Sequence, residues 1–396
     1  MGTDADATAH APSETPEPLP GAPAAIGDVL LGRWSVAAIH RGGQAWVLVV
    51  DDAEFGDRRA IKIPISSGTL TGDAELVTLL GLDRHPHVVT ALDVTELDGR
   101  RGLVLEYAPQ TLAGVLGQRR GTTLSAETPW LIPRAEVLQE ICAGMAYLSE
   151  HGEFAHLDLK PSNVLIDAAG HAKVADFGLA RQVRTRDGRV PAAAGGTWAY
   201  AAPEVIRQEP CDSRADIFSF GVLLYEVCTG RLPYPFPLAS TPAAQREQLL
   251  DYYASKGPED RTKELYYWDQ SVPAQVPIHP RREEISITIS SCLQVHMGKR
   301  PHSFPVLARM IAADLRIPEV GGDPAPLAEP DRQHRELALA QAMIRLGRFE
   351  EAVRRLNRLL AAPPLPALSG RVLQAAQQAL SRAGRPDEAA ALEEWR

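Results

Sequence analysis

The chain has 396 residues, of which 45% are hydrophobic and 23% charged, and its formal net charge at neutral pH is -9. This length and composition predict a globular protein of two or three domains with a large core. The acidic balance argues against sequence-independent binding to nucleic acid or to an anionic membrane surface, because both require clustered basic residues.

Cysteine usage and the search for targeting segments indicate in which cellular compartment the protein is expected. The four cysteines are scattered, without a CxxC pair or metal-ligand spacing, which predicts reduced, buried thiols. Neither an apolar run of about 18 residues nor a signal-peptide pattern is found, so the sequence predicts a cytoplasmic protein without a membrane partner. Abundant alanine and the preference for arginine over lysine predict a bacterial origin.

The first hundred residues divide into an arm and a β-rich segment. Residues 1–26 are rich in Ala and Pro and carry acidic but no basic residues, which predicts a disordered arm. Short β-like runs then dominate up to Tyr107: "WSVAAIH", "AWVLVV", "RAIKIP", "HVVTALDV" and "GLVLEY". One helical stretch, "GDAELVTLLGL", lies between the third and fourth runs.

Helical patterns follow from about Thr111 to Ile317, notably "RAEVLQEICAGMAYLSEH" and "SRADIFSFGVLLYEVCTG". After a linker over residues 319–330, residues 331–396 contain two similar segments, with Gly347 aligned over Gly384 at a spacing of 37. Each segment predicts two short helices around a Gly-Arg turn and resembles a tetratricopeptide-type hairpin. The alternative is a helical hairpin packed on the preceding domain. We expect this tail to dock on that domain or on a second copy of the chain.

The densest polar chemistry stands in "HLDLKPSN", residues 156–163. Phosphoryl transfer requires an acceptor oxygen held in line, a nearby carboxylate, and cations that neutralise the phosphate oxygens. Asp158 suits the proton acceptor, Lys160 can reach the transferring phosphate, and Asn163 can ligate a metal.

This segment resembles the catalytic loop of eukaryotic-type protein kinases, H-R-D-x-K-x-x-N. "DFG" follows at residues 176–178 and "APE" at 202–204, and "GTWAY" before the latter is similar to the acceptor-pocket stretch of serine/threonine kinases. The resemblance covers roughly residues 33–316. It implies an α+β, two-lobed protein-kinase fold over residues 27–318, with a small β-rich lobe to about residue 107 and a larger α-helical lobe from about 108, followed by the helical tail.

The resemblance also assigns roles upstream and downstream of this loop. Lys62, in a strand similar to V-A-I-K, would contact the α- and β-phosphates of ATP, with Glu75 as its ion-pair partner. Asp176 would carry Mg²⁺ together with Asn163. The alternatives are a lysine extending from an edge strand for Lys62 and a solvent-facing helix charge for Glu75.

The glycine-rich loop departs from the family pattern G-x-G-x-x-G-x-V. In "HRGGQAWV", His40 replaces the first glycine and Ala45 the third, whereas Gly42 and Gly43 still allow backbone N–H groups to approach phosphate. By itself the loop is more typical of a hairpin turn. The remaining residues that we expect at the nucleotide, each also compatible with plain core, are Ile39, Val47, Ala60, Leu165 and the backbone of Glu106 and Ala108, with Leu105 at the gatekeeper position.

Other matches are architectural. Asp216 is expected to anchor the catalytic-loop backbone, and Arg300 to pair with Glu204. The aromatic residues between Phe236 and Ile285 predict local core under an insertion, or alternatively a docking surface; they are Tyr252, Tyr253, Tyr266, Tyr267 and Trp268.

The sequence therefore predicts an ATP- and Mg²⁺-dependent serine/threonine kinase that acts on a protein substrate, with a tail that recruits a partner or self-associates. A pseudokinase scaffold and a small-molecule phosphotransferase are the alternatives. Leu157 stands where the family has arginine, so there is no charge for an activation-segment phosphate to neutralise. We expect activity that does not wait for phosphorylation of Thr185, or alternatively a weakened version of that switch.

Overall fold

The computed structural model describes residues 20–43, 45–65, 79–97, 99–120, 135–150, 154–176, 181–182, 197–255, 282–320, 327–361 and 366–392. The chain forms two compact units. The first comprises Met1–Leu70 and Ala91–Tyr107, and the second comprises Thr71–Thr90 and Ala108–Arg396.

The first unit is built on one antiparallel sheet with the strand order β1-β2-β3-β4-β6-β5. Its strands are β1 (Val29–Leu30), β2 (Trp34–Arg41), β3 (Ala45–Asp52), β4 (Asp57–Pro64), β5 (Ala91–Leu97) and β6 (Arg100–Glu106). One face carries the row Leu48, Ile61 and Val104, which are cross-strand partners and completely buried. Burial of this apolar row supplies the core of the sheet.

The predicted strand "HVVTALDV" divides between the two units. Only its part from Ala91 onwards belongs to β5. Val88 instead forms a parallel bridge to Val174, and the N–H of Val89 donates to the carbonyl of Val174 at 2.8 Å. The apolar run is uniform because both parts are buried, so its pattern alone did not mark the boundary.

The second unit is mainly helical. Besides the helical residues 79–81, its helices up to residue 315 in the described ranges are α1 (Leu112–Arg120), α2 (Glu136–Glu150), α3 (Pro203–Arg207), α4 (Arg214–Thr229), α5 (Pro242–Ser255), α6 (Arg282–Cys292) and α7 (Phe304–Leu315). Short strands accompany them: β7 (Gln110–Thr111), β8 (Phe154–Ala155), β9 (Val164–Ile166), β10 (Ala172–Val174) and β11 (Arg181–Gln182). The helices predicted from the two long helical patterns are confirmed as α2 and α4.

Helix α4 forms the centre of this unit, with nearly every residue buried. It ends at Gly230, whose φ of 71° is the left-handed conformation typical of a helix C-terminus. A Cβ atom at Gly221 would lie 2.6 Å from the Cβ of Cys292, so glycine is what allows α4 to approach α6. Tight packing here holds the start of α4, and with it Asp216, in place.

Four further helices follow, α8 (Glu329–Arg345), α9 (Phe349–Ala361), α10 (Pro366–Arg382) and α11 (Pro386–Ala391). Helix α8 begins two residues before the expected start of the tail. The turns at Gly347 and Gly384 have φ values of 76° and 77°. In each turn the following arginine N–H, of Arg348 or Arg385, donates to the carbonyl five residues earlier. The internal repeat read from the sequence therefore recurs in the backbone.

Candidate active site

The segment from His156 to Asp158 is held by a buried carboxylate at the start of α4. Asp216 accepts a hydrogen bond from the N–H of His156 and another from the N–H of Leu157, each 2.7 Å long. Complete burial raises the pKa of Asp216 to about 6, although the two N–H donors and nearby His156 act in the opposite direction. The anchoring role predicted for Asp216 is confirmed by these bonds.

Leu157 occupies an unusual backbone conformation between the two polar residues. Its φ is 61°, a left-handed value that costs a non-glycine residue about 1 kcal/mol. The bond to Asp216 and the burial of the leucine side chain, which is 5% exposed, stabilise this conformation. An apolar side chain therefore packs where the family has arginine.

The Asp158 carboxylate is surrounded by hydrogen-bond donors. Its Oδ2 accepts from Lys160 Nζ at 2.7 Å and from Asn163 Nδ2 at 3.0 Å. Its Oδ1 faces the N–H of Thr197 at 3.4 Å, and Lys160 Nζ also donates to Thr197 Oγ1 at 3.0 Å. Asp158 is thus oriented by the acceptor-pocket stretch as well as by its own loop.

His156 connects this loop to the residue before Asp176. Its Nδ1 accepts a bond from the N–H of Asp158 at 3.3 Å, so Nε2 carries the proton and donates to the carbonyl of Ala175 at 3.0 Å. The N–H of Ala175 in turn donates to the carbonyl of Asn163 at 2.8 Å. These bonds hold Asp158 and Asn163 close to Ala175, the residue before Asp176, within the second unit.

Two oxygen donors of this cluster suit a hard divalent cation. Asn163 Nδ2 donates to Asp158 and so leaves the amide Oδ1 for a metal, and Asp176 supplies a carboxylate. Mg²⁺ is commonly bound by one or two protein oxygens together with phosphates and water. Within the described ranges, no group of three or more His, Cys, Asp or Glu side chains is arranged to hold a metal. Asn163 Oδ1 and the Asp176 carboxylate are the two oxygen donors that could hold such a cation together with a phosphate.

The first unit contributes a separate set of residues on one face of its sheet. Val47 pairs with Lys62, and Ala60 pairs with Leu105, so all four side chains share the face opposite the buried row. Each of them is only half-buried. Strand β4 lies between β3 and β6, so the alternative of an edge-strand lysine is wrong for Lys62.

The expected position of Ile39 requires a correction. Ile39 pairs with Leu48 and therefore lies on the face of the buried row, away from Val47 and Lys62. The residue in line with Val47 is His40. A shift of one residue in register moves a side chain to the opposite face of a sheet, and the hydrogen bond from the N–H of Gly42 to the carbonyl of Ala45 fixes the pairing of β2 with β3 here.

The glycine-rich stretch forms a tight hairpin between β2 and β3. The N–H of Gly42 donates to the carbonyl of Ala45 at 2.8 Å, and a Cβ atom at Gly42 would lie 3.1 Å from that oxygen. A Cβ atom at Gly43 would meet no atom within 4 Å. Glycine at position 42 therefore allows the close approach of the Ala45 carbonyl, whereas the backbone of Gly43 has open space on the side where a Cβ atom would stand.

The other expected nucleotide residues are divided between the units. Glu106 ends β6 in the first unit, and Ala108 and Leu165 belong to the second. Leu165 is the half-buried middle residue of β9, whose neighbours are buried. Several predictions lie outside the described residues, including those on Glu75, residues 177–178 of the "DFG" segment, and Thr185.

Two architectural predictions are tested by contacts around α4. Arg300 donates to both carboxylate oxygens of Glu204, at 2.6 and 2.8 Å, which confirms the predicted pair. Tyr252 and Tyr253 are buried against Tyr234, which confirms the core interpretation for these two residues. The remaining aromatic residues of that segment lie outside the described part of the chain.

Thr197 is a site residue that the sequence does not single out. The "GTWAY" motif predicts only that it belongs to the stretch that shapes the acceptor pocket, yet its hydroxyl and N–H contact Lys160 and Asp158. The signal was present in "GTWAY", but the contact spans 37 residues and is not encoded by local spacing.

The chain is similar in sequence to known protein kinases. The family model of the protein kinase domain matches residues 36–310. The chain is 30% identical to the serine/threonine-protein kinase PCRK1 of Arabidopsis thaliana over 291 residues, 70% of this chain and 66% of that protein. It is 32% identical to the proline-rich receptor-like protein kinase PERK7 of the same plant over 210 residues, 52% of this chain and 28% of that protein. Identity to the serine/threonine-protein kinase STY46, also of that plant, is 37% over 164 residues, 41% of this chain and 27% of that protein.

The chain thus spans about a quarter to two thirds of the length of these relatives. None of the helices in the described ranges combines the length and the apolar character needed to cross a membrane. The bacterial origin expected from composition stays a prediction.

Proposed function

Because the chain belongs to the protein kinase family, we propose that it is a serine/threonine protein kinase that transfers the γ-phosphate of Mg-ATP to a hydroxyl group of a protein. The observation that carries this proposal is the arrangement around Asp158. Its carboxylate is oriented by Lys160 and Asn163 and faces the backbone of Thr197.

The proposed roles follow from these contacts. Asp158 accepts the proton of the attacking hydroxyl and holds its oxygen in line with the γ-phosphate. Lys160 lies between Asp158 and Thr197 and neutralises negative charge as the phosphate transfers. His156 and Asp216 contact no reacting atom and hold the loop that carries Asp158.

Asn163 and Asp176 would hold Mg²⁺. The ion, when bound, would neutralise charge on the phosphate oxygens. Asn163 has a second function in this arrangement, since its Nδ2 holds the Asp158 carboxylate at 3.0 Å. Loss of Asn163 would therefore disturb the proton acceptor as well as the metal site.

For the nucleotide we propose Lys62 at the α- and β-phosphates, with Glu75 as its ion-pair partner. Val47, Ala60 and Leu165 would contact the adenine ring, and the backbone of Glu106 and Ala108 would bind its edge. Gly42 and Gly43 would cover the phosphates. Ile39 is left out of this set because its register puts it on the buried face of the sheet.

The site supports two other functions less well. A pseudokinase scaffold would retain nucleotide binding without turnover, but the ordered contacts of Asp158 favour an active enzyme. A small-molecule phosphotransferase of the same fold would not need the acceptor-pocket stretch. The contact of Thr197 with Lys160 supports a protein acceptor.

For the tail we propose two tetratricopeptide-like hairpins that recruit a partner or a second copy of the chain. The repeated Gly-Arg turns support the hairpin assignment. The repeat extends to side chains, because the ion pair of Arg348 with Glu351 recurs as Arg385 with Glu388.

The proposal is tested by incubating the purified chain with Mg²⁺, γ-labelled ATP and a general protein substrate, and identifying the labelled residues. Asp158→Asn should lower the transfer rate by about a hundredfold or more, since a positioned general base contributes about that much. Asp51→Asn, which changes an exposed carboxylate in the same way, should retain the wild-type rate.

A wild-type rate in Asp158→Asn would contradict the assigned role. ATP binding without any transfer in the wild type would favour the pseudokinase. Labelling of small molecules and not of protein would favour the phosphotransferase.

A further inference from the structure

A tyrosine of the loop between α4 and α5 supports the acceptor-pocket stretch from its buried side. The hydroxyl of Tyr234 donates to the carbonyl of Ala199, with 2.7 Å between the two oxygens. The same hydroxyl lies 2.9 Å from the hydroxyl of Tyr253 in α5. Because a hydroxyl has one proton, Tyr253 is the donor in this second bond. Two tyrosines therefore form a chain of hydrogen bonds that ends at the acceptor-pocket stretch.

This chain of bonds is shielded from water. Tyr234 is 7% exposed, and Ala199 and Tyr253 are also buried. Burial raises the pKa of both tyrosines, so both hydroxyls keep their protons and remain donors at neutral pH. Loss of the Tyr234 hydroxyl would leave the Ala199 carbonyl without this donor in a place where water does not replace it.

Aromatic neighbours hold the ring of Tyr234 in place. Phe236 stacks on it with the ring centroids 6.1 Å apart, and Tyr252 meets it edge-on at 5.9 Å. Tyr253 in turn meets Phe218 of α4 edge-on at 5.9 Å. These ring contacts do not involve the hydroxyl groups, so a change of Tyr234 to phenylalanine removes the hydrogen bonds and keeps the packing.

Helix α5 also contacts the acceptor-pocket stretch one residue earlier. The guanidinium of Arg246 lies over the ring of Trp198, with 6.0 Å from Cζ to the ring centroid. Its Nε donates to the carbonyl of Ile206 in α3 at 2.9 Å. The loop after α4 and helix α5 thus hold two successive residues of the stretch, Trp198 and Ala199.

Two backbone turns connect these residues to Thr197. The N–H of Tyr200 donates to the carbonyl of Thr197, and the N–H of Ala201 donates to the carbonyl of Trp198, each at 3.1 Å. Each bond closes a turn of four residues, and the two turns overlap. A displacement of Ala199, which lies in both turns, is therefore passed on to Thr197.

The first residue of these turns lies at the site of phosphate transfer. Thr197 bonds to Lys160 through its hydroxyl, and its N–H faces the carboxylate of Asp158. We propose that Tyr234 is a positioning residue of phosphate transfer, which holds the Ala199 carbonyl and through it keeps Thr197 at the two charged residues. This inference rests on the proposed function, because it gives Tyr234 a part in that reaction.

The first test does not depend on activity. Hydrogen exchange is compared in the full chain without nucleotide, for the wild type, Tyr234→Phe and the control Tyr147→Phe. The hydroxyl of Tyr147 in α2 donates to the carbonyl of Asp83 at 3.0 Å, so the control removes the same kind of bond from the same unit. The amides of Tyr200 and Ala201 should exchange about tenfold faster or more in Tyr234→Phe, and at the wild-type rate in Tyr147→Phe.

Unchanged exchange at these two amides in Tyr234→Phe would overturn the proposal. An equal acceleration throughout α4 would overturn it as well, since that would show a general loss of stability. If Tyr234→Phe does not fold, Tyr253→Phe replaces it, because this change removes only the bond between the two hydroxyls. It should speed exchange of both amides by about threefold, and a wild-type rate would then contradict the proposal.

The second test asks whether Tyr234 acts through Thr197. With the general protein substrate, Tyr234→Phe should lower kcat by about tenfold and leave KM for Mg-ATP within about twofold of the wild type. In a Thr197→Ala background, which lacks the hydroxyl bonded to Lys160, the same change should lower kcat by less than about threefold. A residue that merely supports the fold would show the same factor in both backgrounds, and equal factors would refute the positioning role.

Failure of the proposed function has a different signature. If the wild type transfers no phosphate to protein, or if Asp158→Asn keeps the wild-type rate, the proposed reaction is wrong and the part of Tyr234 in it falls too. The exchange measurement still decides in that case whether Tyr234 holds the acceptor-pocket stretch.

Discussion

At the scale of single residues, Asp216 couples the catalytic loop to the core of the second unit. Its two carboxylate oxygens accept the N–H groups of His156 and Leu157 in a site without exposure to water. An asparagine at this position presents one acceptor and one donor group, so one buried N–H of the loop would lose its partner. Such a loss costs about 1–3 kcal/mol in a buried site.

The same residue gives a pH-dependent prediction. The folded-state pKa of about 6 lies above the unfolded value near 3.8, so between these pH values the folded protein binds one more proton. The stability contribution of Asp216 therefore falls as the pH rises from about 4 to 6, by up to about 3 kcal/mol. Urea unfolding of wild type and Asp216→Asn across this range should show the wild type losing stability relative to the variant. A constant difference between the two proteins would contradict this assignment.

A second residue-scale prediction concerns Leu157. Its buried, uncharged side chain offers nothing for an activation-segment phosphate to neutralise. Unphosphorylated wild type and Thr185→Ala should then transfer phosphate at similar rates in a continuous assay. A lag in the wild type that ends as Thr185 becomes phosphorylated, and that persists in the variant, would show that the usual switch operates.

At the scale of elements, sequence patterns and motifs predicted which strands and helices exist better than they predicted how these elements pair with one another. The motif of one strand predicts Lys62 as a phosphate ligand; Lys62 lies in β4 on the half-buried face with Val47 and Ala60, and its contact with phosphate stays a prediction. The same kind of motif predicts Ile39, but its face depends on the register of β2 with β3, in which His40 and Ala45 stand where the family has glycines. Register is a property of two strands and their turn, so a single-strand motif cannot determine it.

The turns of the tail allow a matched test at this scale. Gly347 has a φ of 76°, where an added Cβ is strained, whereas Gly370 is exposed within α10 and meets no atom within 4 Å. Gly347→Ala should lower the free energy of unfolding by about 1 kcal/mol, and Gly370→Ala should raise it by up to about 1 kcal/mol. Thermal unfolding of both variants checks the opposite signs. A stabilising Gly347→Ala would mean that this turn does not adopt the left-handed conformation.

At the scale of the whole molecule, the kinase family was evident from the sequence because its chemistry is concentrated in short motifs. The pairing of Glu204 with Arg300 was also expected, since both lie within such motifs. The contact of Arg335 with Leu79, Leu80 and Leu82 was not, because it joins positions about 250 residues apart and uses backbone carbonyls, which carry no sequence signal. The sequence predicted docking of the tail on the kinase domain or on a second copy, but not the residues that make the contact.

Removal of the tail tests its proposed role. A chain that ends at Pro318 keeps all of the proposed catalytic residues but lacks Arg335, whose side chain donates to the carbonyls of Leu79, Leu80 and Leu82. The shortened chain should lose partner binding or self-association and keep its basal transfer rate. Size-exclusion chromatography and steady-state kinetics at saturating Mg-ATP compare it with the wild type. A shortened chain that self-associates as the full chain does would contradict the recruiting role, and one without basal transfer would mean that the tail supports the kinase domain.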